Sequence, residues 1–380
     1  MNKPKSINWL CGAALSLLSF SVLSSASAVQ AQTPQEQLGD FLYNDLALSE
    51  PAGQGCVSCH DPNFGFADPD QHLPVSEGVI PGRFGSRNSP SAAYALFFPE
   101  FTLKGGIQGG QFWDGRALNL AEQAKGPFLN PVEMNNTSRA EVISKIAFRP
   151  YELLFEQVCG PNAFDPANVD TSYNCMADAI AAFEMTFIFR EFSSKFDAVE
   201  AGLVEFTAQE DQGRALFSGR GKCGHCHPAK AGGNKPVVFT DFKFHNIGIP
   251  SNQEVLRLID NPTFVDLGLG GREDISLPKE FGRFKTTHLR DVELTPPYMH
   301  NGVLATLKQV VHFYNTRDVL AECDPALGSD DPGFGIDCWP APEVPDNLDS
   351  SFVGDLGLTD AEEDAIVAYM LTFTDGYVVP

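Results

Sequence analysis

The chain has 380 residues, of which 43% are hydrophobic and 20% charged, and its formal net charge is −23 at pH 7. This acidity argues against binding to nucleic acid, which requires a basic face, and leaves a basic protein partner possible. The same charge would equally serve to keep an exported protein in solution.

The first 31 residues have the composition of a secretory signal peptide. Lys3 and Lys5 precede an apolar run over 9–22, and small residues follow as far as Ala28. Cleavage is expected after Ala28 or Ala31. The remaining chain is long enough for two domains and contains no apolar run that could span a bilayer, so we expect an exported chain with no membrane span.

A helix is predicted over 35–48, where apolar residues recur at helical spacing. It leads through a glycine-containing turn into Cys56, Cys59 and His60. Two cysteines three positions apart with a histidine directly behind them form the attachment signature of c-type haem. The cysteines bond to the edge of the porphyrin, and the histidine ligates the iron.

Further helical segments are predicted over 138–148 and 151–158, with a break at Pro150. The stretch over 175–192 is apolar on nearly every face and is predicted to be a buried central helix. A capping box at Thr207 then opens another helix, which ends shortly before a second cysteine pair.

The haem signature recurs at Cys223, Cys226 and His227, again behind a helix and a turn. A zinc site would need a partner pair of cysteines, whereas both pairs here run directly into a histidine. The repeat predicts two cytochrome c-like domains, residues 32–201 and 202–380, each holding one haem. Two covalent haems in an exported chain indicate the bacterial periplasm.

Glycine- and proline-rich loops follow the second signature and lead to a predicted helix over 304–316, a long insertion, and a final helix opened by Thr359. No alternating strand pattern of any length is present in the sequence. The fold is therefore predicted to be mainly α, with long loops connecting the elements of the two haem domains.

Four cysteines lie outside the haem signatures and the signal peptide, namely Cys159, Cys175, Cys323 and Cys338. Disulfides are their default state in an oxidising compartment. Three pairings are possible, and the local ones, Cys159 with Cys175 and Cys323 with Cys338, each close a short loop. Each such loop would add roughly 3 kcal/mol of stability.

Several short motifs accompany the haem signatures: Phe-Trp-Asp-Gly-Arg at 112–116, Gln123, Asn-Pro-Val-Glu-Met at 130–134 and Leu-Thr-Pro-Pro-Tyr at 294–298. In these motifs the chain resembles the bacterial dihaem cytochrome c peroxidase and MauG family, over essentially its whole mature length. The resemblance implies that the first haem is the peroxide site, with Glu133 and Gln123 in its distal pocket. It also implies that Trp113 lies between the haems and relays electrons.

The residue types suit these roles. A carboxylate can take the first proton of hydrogen peroxide and return it to the leaving oxygen, while an amide orients the peroxide. Glu133 fits the first task and Gln123 the second. On residue type alone, however, Glu133 would more often be a solvated loop acid and Trp113 a core aromatic.

The resemblance further implies a calcium ion between the domains. Its ligands would be the side chain of Asn88 and the backbone oxygens of Thr295 and Pro297, and oxygen ligands of this kind suit calcium. Apart from the resemblance, Asn88 is simply a turn residue before Ser-Pro.

The sixth ligand of the second haem distinguishes members of the family. Ordinary dihaem peroxidases place a methionine on the helix after the Pro-Tyr motif, whereas this chain has Tyr314, as MauG has. Periodicity places Tyr314 on the same helical stripe as Leu304, Leu307 and Val311. Met299 is a rival ligand, and a core tyrosine is the plain alternative. A phenolate favours ferric and more oxidised iron, whereas a thioether favours ferrous iron.

Two other positions depart from the family pattern. The loop over 79–84 lacks the histidine that occupies the first haem in many of these peroxidases, so that haem is expected to be open to peroxide without reductive activation. His72 lies earlier and is the alternative histidine for that position, although it is expected on the surface. MauG has a tryptophan where this chain has Gly221, so the particular protein substrate of MauG is not assumed for this chain. Trp339 is a candidate for a different exit route or else a structural tryptophan.

These features predict a periplasmic dihaem c-type oxidoreductase that reacts with hydrogen peroxide and oxidises an external donor. In its MauG-like form, the hypothesis is oxidation of partner-protein side chains through a high-valent dihaem state. The alternative is an ordinary cytochrome c peroxidase, which reduces peroxide to water with electrons from a small cytochrome or cupredoxin. A dihaem electron carrier is a third hypothesis, and Glu133 and Gln123 argue against it, because a carrier keeps both irons closed.

Overall fold

The computed structural model describes residue 1, residues 31–230 and residues 236–380. The predicted signal peptide lies almost entirely outside the described residues. Residues Thr33–Pro380 form one compact unit that is mainly helical, which confirms the predicted fold class. Among the described residues, no helix is both long enough and apolar enough to cross a bilayer.

The helices of the described residues are α1 (Pro34–Asn44), α2 (Leu120–Leu129), α3 (Arg139–Ile146), α4 (Glu152–Cys159), α5 (Val169–Glu184), α6 (Lys195–Glu200), α7 (Ala208–Ser218), α8 (Gln253–Leu258), α9 (Leu307–Thr316) and α10 (Asp360–Leu371). Two pairs of very short strands accompany them. Strands β1 (Phe244–His245) and β2 (Phe284–Lys285) pair antiparallel, and β3 (Ala321–Glu322) and β4 (Cys338–Trp339) pair parallel.

The helix starts follow their local capping signals. The hydroxyls of Thr33, Thr207 and Thr359 each accept a hydrogen bond from the backbone N–H of a glutamate, the third residue of the helix that follows. Each threonine in turn donates its own backbone N–H to the carboxylate of that glutamate. The central helix was predicted over 175–192, and both of these bounds are wrong. It begins at Val169 after a short 3₁₀ turn and ends at Glu184, because the chain then becomes extended at Thr186.

Two helix crossings built in the same way form the centres of the core. Where α1 crosses α5, a Cβ added to Gly39 would lie 2.0 Å from the carbonyl oxygen of Ala179. Where α7 crosses α10, a Cβ added to Gly213 would lie 1.8 Å from the carbonyl oxygen of Ala365. Only glycine lets the two backbones approach so closely.

The largest cluster of buried apolar side chains is built mainly from residues 38–189, and a second cluster from residues 196–373. The division of the chain near Gly202 stays a prediction. Of the three possible cysteine pairings, the structure contains the local one: Cys159 pairs with Cys175, and Cys323 with Cys338.

Candidate active site

The first haem signature lines a cavity under α2 and α5. Cys56 and Cys59 lie on a 3₁₀ turn, and His60 follows them into the same wall. The Nδ1 of His60 lies 3.1 Å from the carbonyl oxygen of Phe66, and burial lowers the pKa of this imidazole. Tyr43 fixes the turn by donating to the carbonyl oxygen of His60 at 2.9 Å. Proteins commonly present a metal-ligating histidine in its neutral form, with the ring nitrogen that does not bind the metal hydrogen-bonded to a backbone carbonyl.

Glu133, Gln123 and Trp113 all line this first cavity. Gln123 projects from α2, and the turn after α2 carries Glu133, whose backbone N–H donates to the carbonyl oxygen of Asn130. The Asn130 amide also donates to Glu133 Oε1 at 2.6 Å. Burial raises the pKa of Glu133, while the Asn130 hydrogen bond and the nearby Arg116 charge oppose the rise.

The second haem signature lines a separate and more apolar cavity. His227 repeats the arrangement of His60, with Nδ1 2.8 Å from the carbonyl oxygen of Phe239. Both rival ligands, Tyr314 on α9 and Met299 in the preceding loop, line the same cavity. Burial raises the pKa of the Tyr314 phenol. The choice between Tyr314 and Met299 as ligand stays a prediction.

Trp113 lies in the walls of both cavities. Its indole N–H donates to the carbonyl oxygen of Asn88 at 2.8 Å, and its ring meets the buried His300 ring edge-on at a centroid distance of 6.4 Å. The position between the haem signatures suits the predicted relay, which stays a prediction.

The three residues predicted to hold calcium line a third, small cavity. The Asn88 amide nitrogen donates to the carbonyl oxygen of Pro74, which leaves its side-chain oxygen available, and the Thr295 hydroxyl donates to the carbonyl oxygen of Val292. Pro297 contributes its backbone oxygen. These neutral oxygens fit a calcium ion in type, although no aspartate or glutamate is among the residues that line this cavity.

The remaining sequence-predicted residues lie outside the first cavity. His72 is exposed and does not line it, and neither does the loop over 79–84. Trp339 is 2% exposed, donates its indole N–H to Thr316 Oγ1 and packs edge-on against Phe313, which suits a structural tryptophan. A Cβ added to Gly221 would lie 2.8 Å from the carbonyl oxygen of Leu216, so a tryptophan would not fit there without a backbone shift.

Sequence reasoning missed two residues of the cavity walls. Glu184, at the end of α5, lines the first cavity, and Met370 on α10 lines the second. The sequence signal for Glu184 is a charge within a segment that is otherwise apolar on nearly every face.

Comparison with known proteins agrees with this site. The profile of the family described as di-haem cytochrome c peroxidase matches residues 33–204. The chain is 37% identical to the methylamine utilization protein MauG of Paracoccus denitrificans, over 96% of this chain and 95% of that protein. It belongs to the di-haem cytochrome c peroxidase and MauG family.

Other members of the family are also similar. A cytochrome-c peroxidase, IdrP1, of Denitromonas iodatirespirans is 31% identical over 73% of this chain and 71% of its own length. The crystal structure of the diheme peroxidase BthA from Burkholderia thailandensis superposes with a TM-score of 0.76 at 32% identity, over 91% of this chain and 87% of that one. The chain is therefore a haem peroxidase-family oxidoreductase.

Family membership implies two c-type haems, and the residues of each cavity fit one. Each cavity combines two unpaired cysteine thiols with one histidine whose outer nitrogen is anchored to a backbone carbonyl. Membership in a peroxidase family also implies hydrogen peroxide as a substrate.

Proposed function

We propose that this chain is a periplasmic dihaem oxidoreductase that reacts with hydrogen peroxide at the first haem and oxidises side chains of a partner protein, as a MauG-like enzyme would. The observation that carries the proposal is Tyr314, whose partly buried side chain lines the same cavity as the second haem signature. When bound, the two haems supply the redox chemistry with peroxide.

The first cavity binds and orients peroxide. The Gln123 amide offers both a donor and an acceptor to the two oxygens. Glu133 takes the first proton of peroxide and returns it to the leaving oxygen, and Asn130 holds the carboxylate in place through its 2.6 Å hydrogen bond. Cys56 and Cys59 would attach this haem, and His60 would ligate its iron.

The second cavity stores oxidising equivalents. Cys223 and Cys226 would attach the haem there, and His227 and Tyr314 would ligate its iron. A buried phenol with a raised pKa ionises only against a cation, and the anionic ligand then favours oxidised iron. Trp113, in the walls of both cavities, would carry electrons between them.

Calcium is proposed as a structural ion held by the Asn88 side-chain oxygen and the backbone oxygens of Thr295 and Pro297. Because the chain is acidic, a protein partner would bind it through a basic face of the partner. The second candidate function is that of an ordinary cytochrome c peroxidase, and the observation that favours it is Met299 in the wall of the second cavity.

Absorption and electron paramagnetic resonance spectra of the ferric holoprotein test this proposal. Tyr314→Phe is expected to remove a low-spin tyrosinate signal from the second haem, while Met299→Leu leaves it in place. The reverse result would support methionine ligation, and rapid oxidation of reduced cytochrome c by the unmodified protein would then establish the peroxidase alternative.

A further inference from the structure

The last residue of α5 places a carboxyl group in the wall of the first cavity. Glu184 is 6% exposed, and its Oε2 is buried without a hydrogen-bond partner. Burial alone raises the pKa of this carboxyl to about 8. A carboxyl group kept from water without a partner is a costly feature, and such groups are typically associated with a functional site.

The second cavity provides an internal comparison. Gly39 packs against Ala179 and Phe183 in the first crossing, and Gly213 packs against Ala365 and Tyr369 in the second. The residue after Phe183 is Glu184, and the residue after Tyr369 is Met370.

Glu184 and Met370 line the first and second cavity, respectively. The two cavities therefore carry, at the same position of the same wall, a carboxyl group in one case and a thioether in the other.

Other titratable groups face Glu184 from each neighbouring element. Tyr43 on α1 has its pKa raised well above its usual value, first by burial and then by Glu184 itself, so it stays neutral. Cys56 and Cys59 on the signature turn become thioethers when haem is attached. Glu133 lines the same cavity, and its pKa is also raised. Three cations of this cavity are each ion-paired with an aspartate and do not offset the burial of Glu184, namely Arg87, Arg116 and Arg272.

We propose that Glu184 takes up a proton when the haem in the first cavity is reduced, so that the reduction potential of this haem depends on pH. The haem gains one electron from a one-electron donor, the Glu184 carboxylate gains one proton from solvent, and no other bond forms or breaks. The added electron repels a carboxylate enclosed in the same cavity, and protonation removes that repulsion. Met370 cannot respond in this way. The inference rests on the two haems that the family implies and is independent of the partner-protein hypothesis.

The test is a potentiometric titration of the holoprotein with dye mediators, followed by haem absorbance between pH 6 and 10. The first-haem potential is expected to be level at low pH and to fall as pH rises above about 8. The fall in potential should approach 59 mV per pH unit, which for a one-electron couple corresponds to a tenfold change in the equilibrium constant of reduction. Glu184→Gln and Glu184→Met should remove this slope, and Glu133→Gln should retain it.

The reciprocal variant Met370→Glu is expected to give the second haem a slope of its own. A slope that persists in Glu184→Gln, or that disappears in Glu133→Gln, would overturn the proposal. Haem content is measured for each variant. If Glu184→Gln does not retain its haem, Met370→Glu decides, and a level second-haem potential in that variant would refute the assignment.

Discussion

The two haem cavities share one scaffold and differ in what lines them. Each has a cysteine pair on a 3₁₀ turn, a histidine anchored by a backbone carbonyl, and a wall formed by a glycine-centred helix crossing. The first carries Gln123, Glu133 and Glu184, whereas the second carries Tyr314 and Met370. The scaffold therefore fixes where haem binds, and the lining decides what each haem does.

The largest expected effect is on the reaction with peroxide, which is predicted for the first cavity and not for the second. Glu133→Gln should slow the reaction with peroxide by about 10²–10⁴-fold, the usual contribution of a general acid–base. The reaction is followed by stopped-flow absorbance, with the ferric spectrum of the second haem as an internal reference. Glu122→Gln is a matched control, since Glu122 lies beside Gln123 on α2 but is ion-paired with Lys125 at the surface. An unchanged rate in Glu133→Gln would remove the distinction between the cavities.

The next prediction tests whether the two crossings are equivalent. Gly39→Ala and Gly213→Ala should each lower the melting temperature of the holoprotein, because each new methyl group meets a backbone oxygen within about 2 Å. Overpacking of this kind costs about 1–3 kcal/mol. Gly126→Ala is the control, since its nearest neighbour is 3.5 Å away and the helix should gain slightly. A tolerated Gly39→Ala would show that the crossings are not alike.

A smaller effect is expected from Asn130→Leu. The amide hydrogen bond stabilises the Glu133 carboxylate, so its loss should raise the pKa of Glu133 further. Since Glu133 must be ionised to accept the first proton, the rate of the peroxide reaction rises with pH through this pKa. At pH values below the pKa of Glu133 the variant should therefore be slower by about tenfold, and it should reach its full rate only at higher pH than the unmodified protein. A pH profile identical to that of the unmodified protein would show that Asn130 only shapes the turn.

Features determined by adjacent residues could be predicted from the sequence. The haem signatures and the threonine caps of α7 and α10 depend on residues close together in the chain, and the structure contains each of them. The disulfides follow the local one of the three possible pairings. The bounds of α5 could not be predicted in this way. Its apolar pattern continues to Phe189, which is buried in the core from a 3₁₀ turn beyond the helix end.

The position of Glu184 in the cavity wall could not be predicted from the sequence either. Whether an acid in an apolar helix faces solvent or a cavity depends on the crossing with α1, which joins residues some 140 positions apart. The pairing of Asn130 with Glu133 is local but could not be derived either, because it depends on the rotamers of two side chains in an irregular turn.

The glycine crossings bear on how such a chain can diversify. At Gly39 and Gly213 the close contact is between one backbone and another, so it makes no demand on the identity of the residues that point into the cavities. After a duplication, each half could accept new cavity residues without losing the frame that holds its haem. Exchanging the lining residues between the two cavities should then leave the fold intact, while the redox properties follow the lining.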